Sequence, residues 1–414
     1  MKFFLTFFCL IILLGCKKDV VPQIEPRKEV GILYYTEIVD TKTKDISFFE
    51  RKVFSTNQGV FTSNMFDGAR INGFSSLNDS TFLINSFPEN EPINSSPWYS
   101  FKIWSKTPKK VFLVFNYGDY QHRYASKLSK NGSDWIDIDT KNRGTFEKKE
   151  KITLNISSDT IWVSAQELYT GKELNTWLSF LQERNSSLIK TGIAGKSKLG
   201  REIKFFEISE GINKNKDLVV LLSRQHPPEV TGQFALTAFV EGILTQSSVQ
   251  TSFLKKYNVL VLPILNPDGV ALGQWRHNAG GIDLNRDWAL YNQPETKVVS
   301  DFIKDYAKTT NNRVVLGLDF HSTFNDVYYT NLSDSISVLP KFTNTWLKSI
   351  QDNFSGYKPE ISPSILGQPV SKNWFFVNFN AVGITYEIGD NTPRKSIDEK
   401  GKFAAFKMME ILPK

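Results

Sequence analysis

The sequence predicts an α/β protein with a mixed sheet flanked by helices, preceded by an all-β sandwich domain. Three observations predict it. Short alternating runs separated by turn-forming clusters fill the region from about 30 to 161. Continuous apolar runs alternate with helical stretches from about 169 onward. The composition, 40% hydrophobic and 22% charged over 414 residues, suits two or three globular domains. It excludes a disordered chain, a fibre and a polytopic membrane protein.

In the N-terminal part, strands are expected at 31–35, 100–104, 111–115 and 152–156. Several alternate with period two, as half-buried strands do. Clusters of Asn, Asp, Ser, Gly and Pro, such as 90–97, separate them. Regular short strands of this kind suggest a sandwich. Downstream, 174–183 reads as a helix. The run 218–222 is apolar at every residue, as a strand buried on both faces would be. A helix at 233–244, a buried strand at 259–264, a helix at 295–306 and a strand at 314–320 follow. The last strand is expected at 382–388 and the last helix at 402–412. This order implies a mostly parallel or mixed sheet covered on both faces. Ligands in such sheets bind at the carboxyl ends of strands. The expected organisation is a leader over 1–15, a tether over 16–29, the sandwich over 30–168 and the α/β domain over 169–414.

Charge and cysteine content narrow the function. The net charge is +7, but 50 basic residues are scattered among 43 acids. Without a basic stripe, no nucleic-acid partner is expected. The only cysteines, Cys9 and Cys16, lie near the start. That excludes a disulfide framework, a Cys-ligated metal and a catalytic thiol from the folded part. Any metal chemistry must draw on His122, His226, His277 and His321 with carboxylates. His122 has no acid at ligand spacing and reads as a surface or hydrogen-bonded residue. There is no internal repeat, GxGxxG, Walker loop or GxSxG.

The start of the chain reads as an address. Lys2 precedes an apolar run over 3–14, broken only by Thr6. It is too short for an ordinary membrane span and suits a signal-peptide core. Leu13-Leu14-Gly15-Cys16 resembles a bacterial lipobox, which implies cleavage before Cys16 and lipidation of it. Two or three acyl chains would anchor the protein stably, where one binds marginally. The expected location is the bacterial cell envelope, on the periplasmic or the cell-surface side.

Candidate chemistry sits at strand ends. After the 218–222 strand comes His226-Pro227-Pro228-Glu229. A His and a Glu three apart at a strand-to-helix turn can aim at one point, and the prolines favour a helix start at Glu229. His321 ends another buried strand. Together His226, Glu229 and His321 form a His₂Glu set, the pattern of a catalytic zinc site with an open water position. The loop from Asn266-Pro267-Asp268-Gly269 through Arg276, Gly281-Ile282-Asp283-Leu284-Asn285-Arg286 and Trp288 suggests carboxylate recognition, because Arg grips a carboxylate through two hydrogen bonds. Glu387 places a carboxylate in the apolar strand 382–388. A buried acid is costly unless it has a partner or a task. Beside an activated water it could act as general base, then acid.

HPPE, NPDG, RxxxxGxDLNR, a strand-end His and a late strand Glu, in this order, resemble the zinc metallocarboxypeptidases of the carboxypeptidase A family. The likeness covers about 170–414. The spacing from Arg276 to Asn285-Arg286 and the preceding sandwich look most like the cytosolic-carboxypeptidase branch, as does Pro97-Trp98-Tyr99-Ser100-Phe101. The resemblance implies one zinc ion held by His226, Glu229 and His321. It implies that Arg276 polarises the scissile carbonyl, and that Asn285 and Arg286 hold the terminal carboxylate of a peptide substrate. Glu387 would activate the water and protonate the leaving amine. Asp319 could orient a ligand or serve structure alone, and His277 reads as non-ligating.

Two departures from the family pattern follow. The position of a mobile, substrate-closing Tyr falls on Ile365 when the sequences are aligned on Trp374, with Tyr357 as a candidate replacement. The same alignment puts Lys372 in the side-chain pocket, which implies a preference for C-terminal Asp or Glu. The variants of this reading are a peptidase acting on peptidoglycan stem peptides and an amidohydrolase of the aspartoacylase kind. From a different class, the chain could be a non-catalytic surface binding lipoprotein. No zymogen segment is evident.

Overall fold

The computed structural model describes residues 38–332, 336–364 and 367–412. The expected strand at 31–35, Cys16 and Ile365 lie outside these residues. Among the described residues, no helix is long and apolar enough to cross a membrane.

Two sheets between residues 53 and 164 form the sandwich. One has six strands in the order Val53–Ser55, Val60–Ser63, Ser100–Ser105, Ile161–Ser164, Lys127–Ser129, Trp135–Asp137. The other has five, in the order Gly73–Ser76, Thr81–Asn85, Lys109–Asn116, Lys149–Ile156, Arg143–Phe146. Period-two alternation sends Phe101 and Ile103 of the first sheet, and Val111, Leu113 and Phe115 of the second, into a shared core. Of the expected strands, 100–104, 111–115 and 152–156 fall within these elements.

The C-terminal part is built on one eight-stranded mixed sheet. Its order is Ile189–Lys196, Glu202–Ile208, Tyr257–Leu262, Asp217–Ser223, Arg313–Thr323, Val382–Gly389, Val327–Asn331, Glu360–Ser364. The strands Tyr257–Leu262, Asp217–Ser223, Arg313–Thr323 and Val382–Gly389 run parallel. In Asp217–Ser223, Val219 and Leu221 enter one core while Leu218, Val220 and Leu222 enter the other. That is why the run is apolar at every position. Helices Val230–Leu244 and Arg394–Ile411 supply the first core, and Pro294–Thr310 and Ser371–Phe379 the second.

Several elements were not expected, for identifiable reasons. The strand Ile189–Lys196 carries two glycines and is largely exposed, so it shows little apolar patterning. The helix Ser371–Phe379 reads Trp-Phe-Phe-Val and is buried around much of its girth, so no amphipathic period marks it. The buried strand ends at Leu262 rather than 264, because Pro263 has no N–H to give the ladder. The last helix begins at Arg394, a full two turns before the expected 402.

Two glycines let helices approach the site. A Cβ on Gly232 would lie 2.5 Å from the His321 carbonyl oxygen, and one on Gly383 would lie 1.9 Å from that of Lys372. Neither distance is sterically possible for a side chain. Glycine at these places therefore seats Val230–Leu244 against the His321 strand and Ser371–Phe379 against the Glu387 strand.

Candidate active site

A cavity of about 530 Å³ opens at the carboxyl ends of the parallel strands. His226, Glu229, Arg276, Asn285, Arg286 and Glu387 all line it, and Lys372 lines it as well. The turn after Asp217–Ser223 delivers His226 and sets Glu229 at the start of helix Val230–Leu244. His321 comes from the adjacent strand, where it pairs in register with Glu387.

Candidate ligand atoms of His226, Glu229 and His321 lie within 4.8 Å of one another. His226 Nδ1 is 2.8 Å from Glu229 Oε1, and His321 Nδ1 is 2.6 Å from Oε2. Both Nε2 atoms face other carboxylates, His226 toward Asp283 Oδ1 and His321 toward Asp319 Oδ2, each at 2.8 Å. The Nε2–H groups are thus fixed as donors, and both Nδ1 atoms are aimed at one carboxylate. Burial would raise the Glu229 carboxyl, but His226 and His321 outweigh it and hold it well below the usual carboxylate range. Burial would lower His321, yet Asp319 and Glu229 keep it well above the ordinary imidazole range. Two imidazole nitrogens and a carboxylate converging on one point demand positive charge there. The donor set fits a divalent cation of the zinc type. Asp283 and Asp319 are the outer carboxylates such ligands use.

Asp283 also receives a 2.8 Å hydrogen bond from Arg276 Nε. The same carboxylate therefore orients a candidate ligand and the guanidinium beside it. Asn285 Oδ1 accepts from the Ser371 backbone N–H at 2.9 Å, which leaves its amide NH₂ as the end free to donate. Arg286 Nη1 donates to the Asn285 carbonyl at 2.8 Å and is half-buried. Glu387 Oε2 is buried without a donor. Burial, reinforced by the nearby Glu229 charge, pushes the Glu387 carboxyl up to about 7.

Lys372 is only 4% exposed. Its Nζ donates to Asn373 Oδ1 at 2.7 Å and lies 3.5 Å from Asn331 Oδ1. No carboxylate pairs with it among the described residues. Burial pushes it down to about 8.

Some residues fall elsewhere than expected. Tyr357 does not line the cavity. Its hydroxyl lies 3.4 Å from that of Tyr328, and Lys400 sits over its ring. Tyr328 and Tyr329 are consecutive on a strand and so point to opposite faces. Tyr329, which sequence reasoning missed, lines the cavity. His277 bonds to Asn90 Oδ1 at 2.6 Å and stays outside the ligand set. His122 bonds to the Tyr117 hydroxyl at 3.0 Å. Arg123 of the sandwich also lines the cavity, donating to Asp390 at 2.8 Å. No motif marks it. Asp283 was visible inside GxDLNR, but its double contact required the structure.

The fold and the donor set define a mixed α/β protein with a candidate metal site at the carboxyl ends of its parallel strands. Residues 174–395 match the zinc carboxypeptidase family, more than half of the 414 residues, and the chain belongs to that family. Cytosolic carboxypeptidase 6 of Caenorhabditis elegans is 24% identical over 197 residues, covering 45% of this chain and 43% of that protein. Human cytosolic carboxypeptidase 6 is 30% identical over 125 residues, covering 29% of this chain and 25% of that protein. The matches thus span less than half the length of these relatives. A metallo-carboxypeptidase from Pseudomonas aeruginosa, solved in complex with (2-guanidinoethylmercapto)succinic acid, superposes with a TM-score of 0.69 at 17% identity. It covers 85% of this chain and 98% of that chain. A metallo-carboxypeptidase from Burkholderia cenocepacia gives 0.68 at 16% identity, covering 86% and 98%. At these identities the likeness is one of fold.

Proposed function

We propose that this chain is a zinc-dependent metallocarboxypeptidase, hydrolysing the bond that releases the C-terminal residue of a peptide. One observation carries the reading. His226 and Glu229 of the donor set, the Glu387 carboxylate and the Asn285–Arg286 pair line one cavity, with His321 bonded to Glu229 beside it. His226, Glu229 and His321 would hold a zinc ion, which supplies Lewis acidity and an activated water when bound. Asn285 and Arg286 hold the substrate's terminal carboxylate. Arg276 donates to the carbonyl oxygen as negative charge develops on it. Glu387 takes a proton from the attacking water and gives it to the leaving amine. Burial raises its carboxyl above the usual carboxylate range, the direction that suits a group which first takes and then returns a proton. Lys372 supports a preference for C-terminal Asp or Glu, since it is a buried cation lacking an acid partner. We also propose that Cys16 carries a lipid anchor and that the enzyme works in the bacterial cell envelope.

The test takes the chain without its first sixteen residues, and its Glu387→Gln variant, both zinc-loaded. Each is incubated with peptides that differ only in the last residue, with and without chelator, and products are read by mass spectrometry. Single C-terminal residues should disappear only with metal and only with Glu387. Glu387→Gln should lose about 10²- to 10⁴-fold in kcat with zinc still bound. Bound zinc without cleavage of any peptide would remove the carboxypeptidase reading. Failure to bind zinc would favour a non-catalytic binding protein.

A further inference from the structure

The loop carrying Arg276 is held from two sides: Asn266 of the α/β domain donates to the His277 carbonyl at 3.1 Å, and the sandwich holds its backbone amides. Glu89 lies between strands Thr81–Asn85 and Ser100–Ser105 and is fully buried. Its carboxylate accepts three consecutive backbone N–H groups: Trp275 at 2.8 Å, Arg276 at 3.0 Å and His277 at 2.7 Å. Successive amides turned inward make a concavity that selects an anion. The adjacent Asn90 accepts from His277 Nδ1 through its Oδ1 (2.6 Å) and donates through its amide NH₂ to the Gly281 carbonyl at 3.0 Å.

Side chains alternate along this loop. Trp275 is fully buried toward the sandwich, its Nε1 donating to the Trp98 carbonyl at 3.1 Å, its ring edge-on to Tyr120 at 5.4 Å. Arg276 turns the other way, into the cavity. Arg70 of the sandwich is buried beside Glu89 and offsets its charge. It donates to the Phe87 carbonyl at 2.8 and 2.6 Å and reaches the Gly273 carbonyl at 3.5 Å. The loop is therefore gripped by a carboxylate on its amides and a guanidinium on a carbonyl.

We propose that Glu89 is a positioning residue for hydrolysis, fixing the 275–277 backbone so that the Arg276 guanidinium meets the scissile carbonyl. This rests on the role given to Arg276 above. Glutamine at 89 keeps the volume but turns an NH₂ donor toward an N–H that needs an acceptor, so at least one of the three bonds is lost.

The test uses the full zinc-loaded chain as four enzymes: wild type, Glu89→Gln, Arg276→Ala and the double variant. In Glu89→Gln, kcat should fall about 10- to 100-fold, the scale of misplacing a reacting group by about 1 Å. KM and bound zinc should be little changed. Hydrogen exchange at amides 275–277 should accelerate. In the Arg276→Ala background the same change should cost less than about twofold, because a residue acting through Arg276 has nothing left to position. Unchanged kcat in Glu89→Gln beside a crippled Arg276→Ala would overturn the proposal. So would an equal fold-loss in both backgrounds, which marks a general structural role. An Arg276→Ala enzyme of undiminished kcat would instead remove the reading of Arg276 itself. Should Glu89→Gln fail to fold, Glu89→Asp, which keeps the charge but withdraws the carboxylate, is read by the same criteria.

Discussion

At the metal end of the cavity, each candidate ligand and the neighbouring arginine meet groups of opposite charge. His226 lies between Glu229 and Asp283, His321 between Glu229 and Asp319, and Arg276 against Asp283. At the other end, Lys372 is as deeply buried, and among the described residues its ammonium bonds only to amide oxygens, those of Asn373 and Asn331. The first end is a closed network whose geometry is set before substrate arrives. The second holds an uncompensated cation, which is costly unless something completes it. The comparison separates what the protein orders for itself from what it leaves for the ligand. Variants at the two ends should therefore fail in different currencies, one in metal retention and the other in substrate choice.

The largest effect belongs to the closed end. Asp283→Asn keeps the shape but weakens the hold on both the His226 ring and Arg276. Metal affinity should fall about 10- to 100-fold, read as faster zinc loss to a competing chelator. Asp319→Asn should act likewise through His321. Lys372→Met should leave metal affinity at the wild-type value. If it weakened zinc as much as Asp283→Asn does, the two ends would not be independent.

The same contrast explains how much was legible in the sequence. The ligand set, Glu387 and the Asn285–Arg286 pair announce themselves because each sits at a strand end or in a motif of fixed spacing. Strand register then brings them together, as with His321 and Glu387. Lys372 could be placed only by alignment, yet the structure brings it to the cavity. Glu89, Arg123 and Tyr329 were invisible because their contacts cross from one part of the chain to another. Glu89 reaches residues almost two hundred positions away, and a lone Glu in a loop rich in Asn and Pro carries no periodic signal. The helix Ser371–Phe379 was missed for a related reason: buried against Gly383 and Gly317, it has no polar face to show.

The next effect lies at the open end. Lys372→Met removes the charge and keeps an apolar stem of similar length. For peptides ending in Glu against otherwise identical ones ending in Gln, the ratio of kcat/KM should fall by about 10- to 100-fold, the worth of one charged hydrogen bond. The fold should gain, because wild type buries a charge that costs on the order of 3 kcal/mol at neutral pH. A raised Tm with a collapsed Glu-to-Gln ratio sharpens the comparison. A raised Tm with an unchanged ratio would mean that the cation faces no substrate.

The smallest effect is a pH dependence that only the open end should show. Burial lowers Lys372 from 10.5 to about 8. Between those values the unfolded chain binds the proton and the folded one does not, so stability rises with pH across that window. Substrate choice moves the other way. Below about pH 8 the ammonium is present in the free enzyme and favours a terminal carboxylate side chain. Above it the charge is gone, and the Glu-to-Gln ratio of kcat/KM should decline. Glu387, whose carboxyl burial raises, serves both substrates, so its titration cancels in the ratio. Lys372→Met should abolish the trend in the ratio, leaving it flat from pH 6 to about 10, and should lessen the rise in stability, to which the lowered Lys216 also contributes. A wild-type ratio that stayed high and flat across the same range would assign the acidic preference to the arginines, which do not titrate there, and would leave Lys372 a buried charge with no part in recognition.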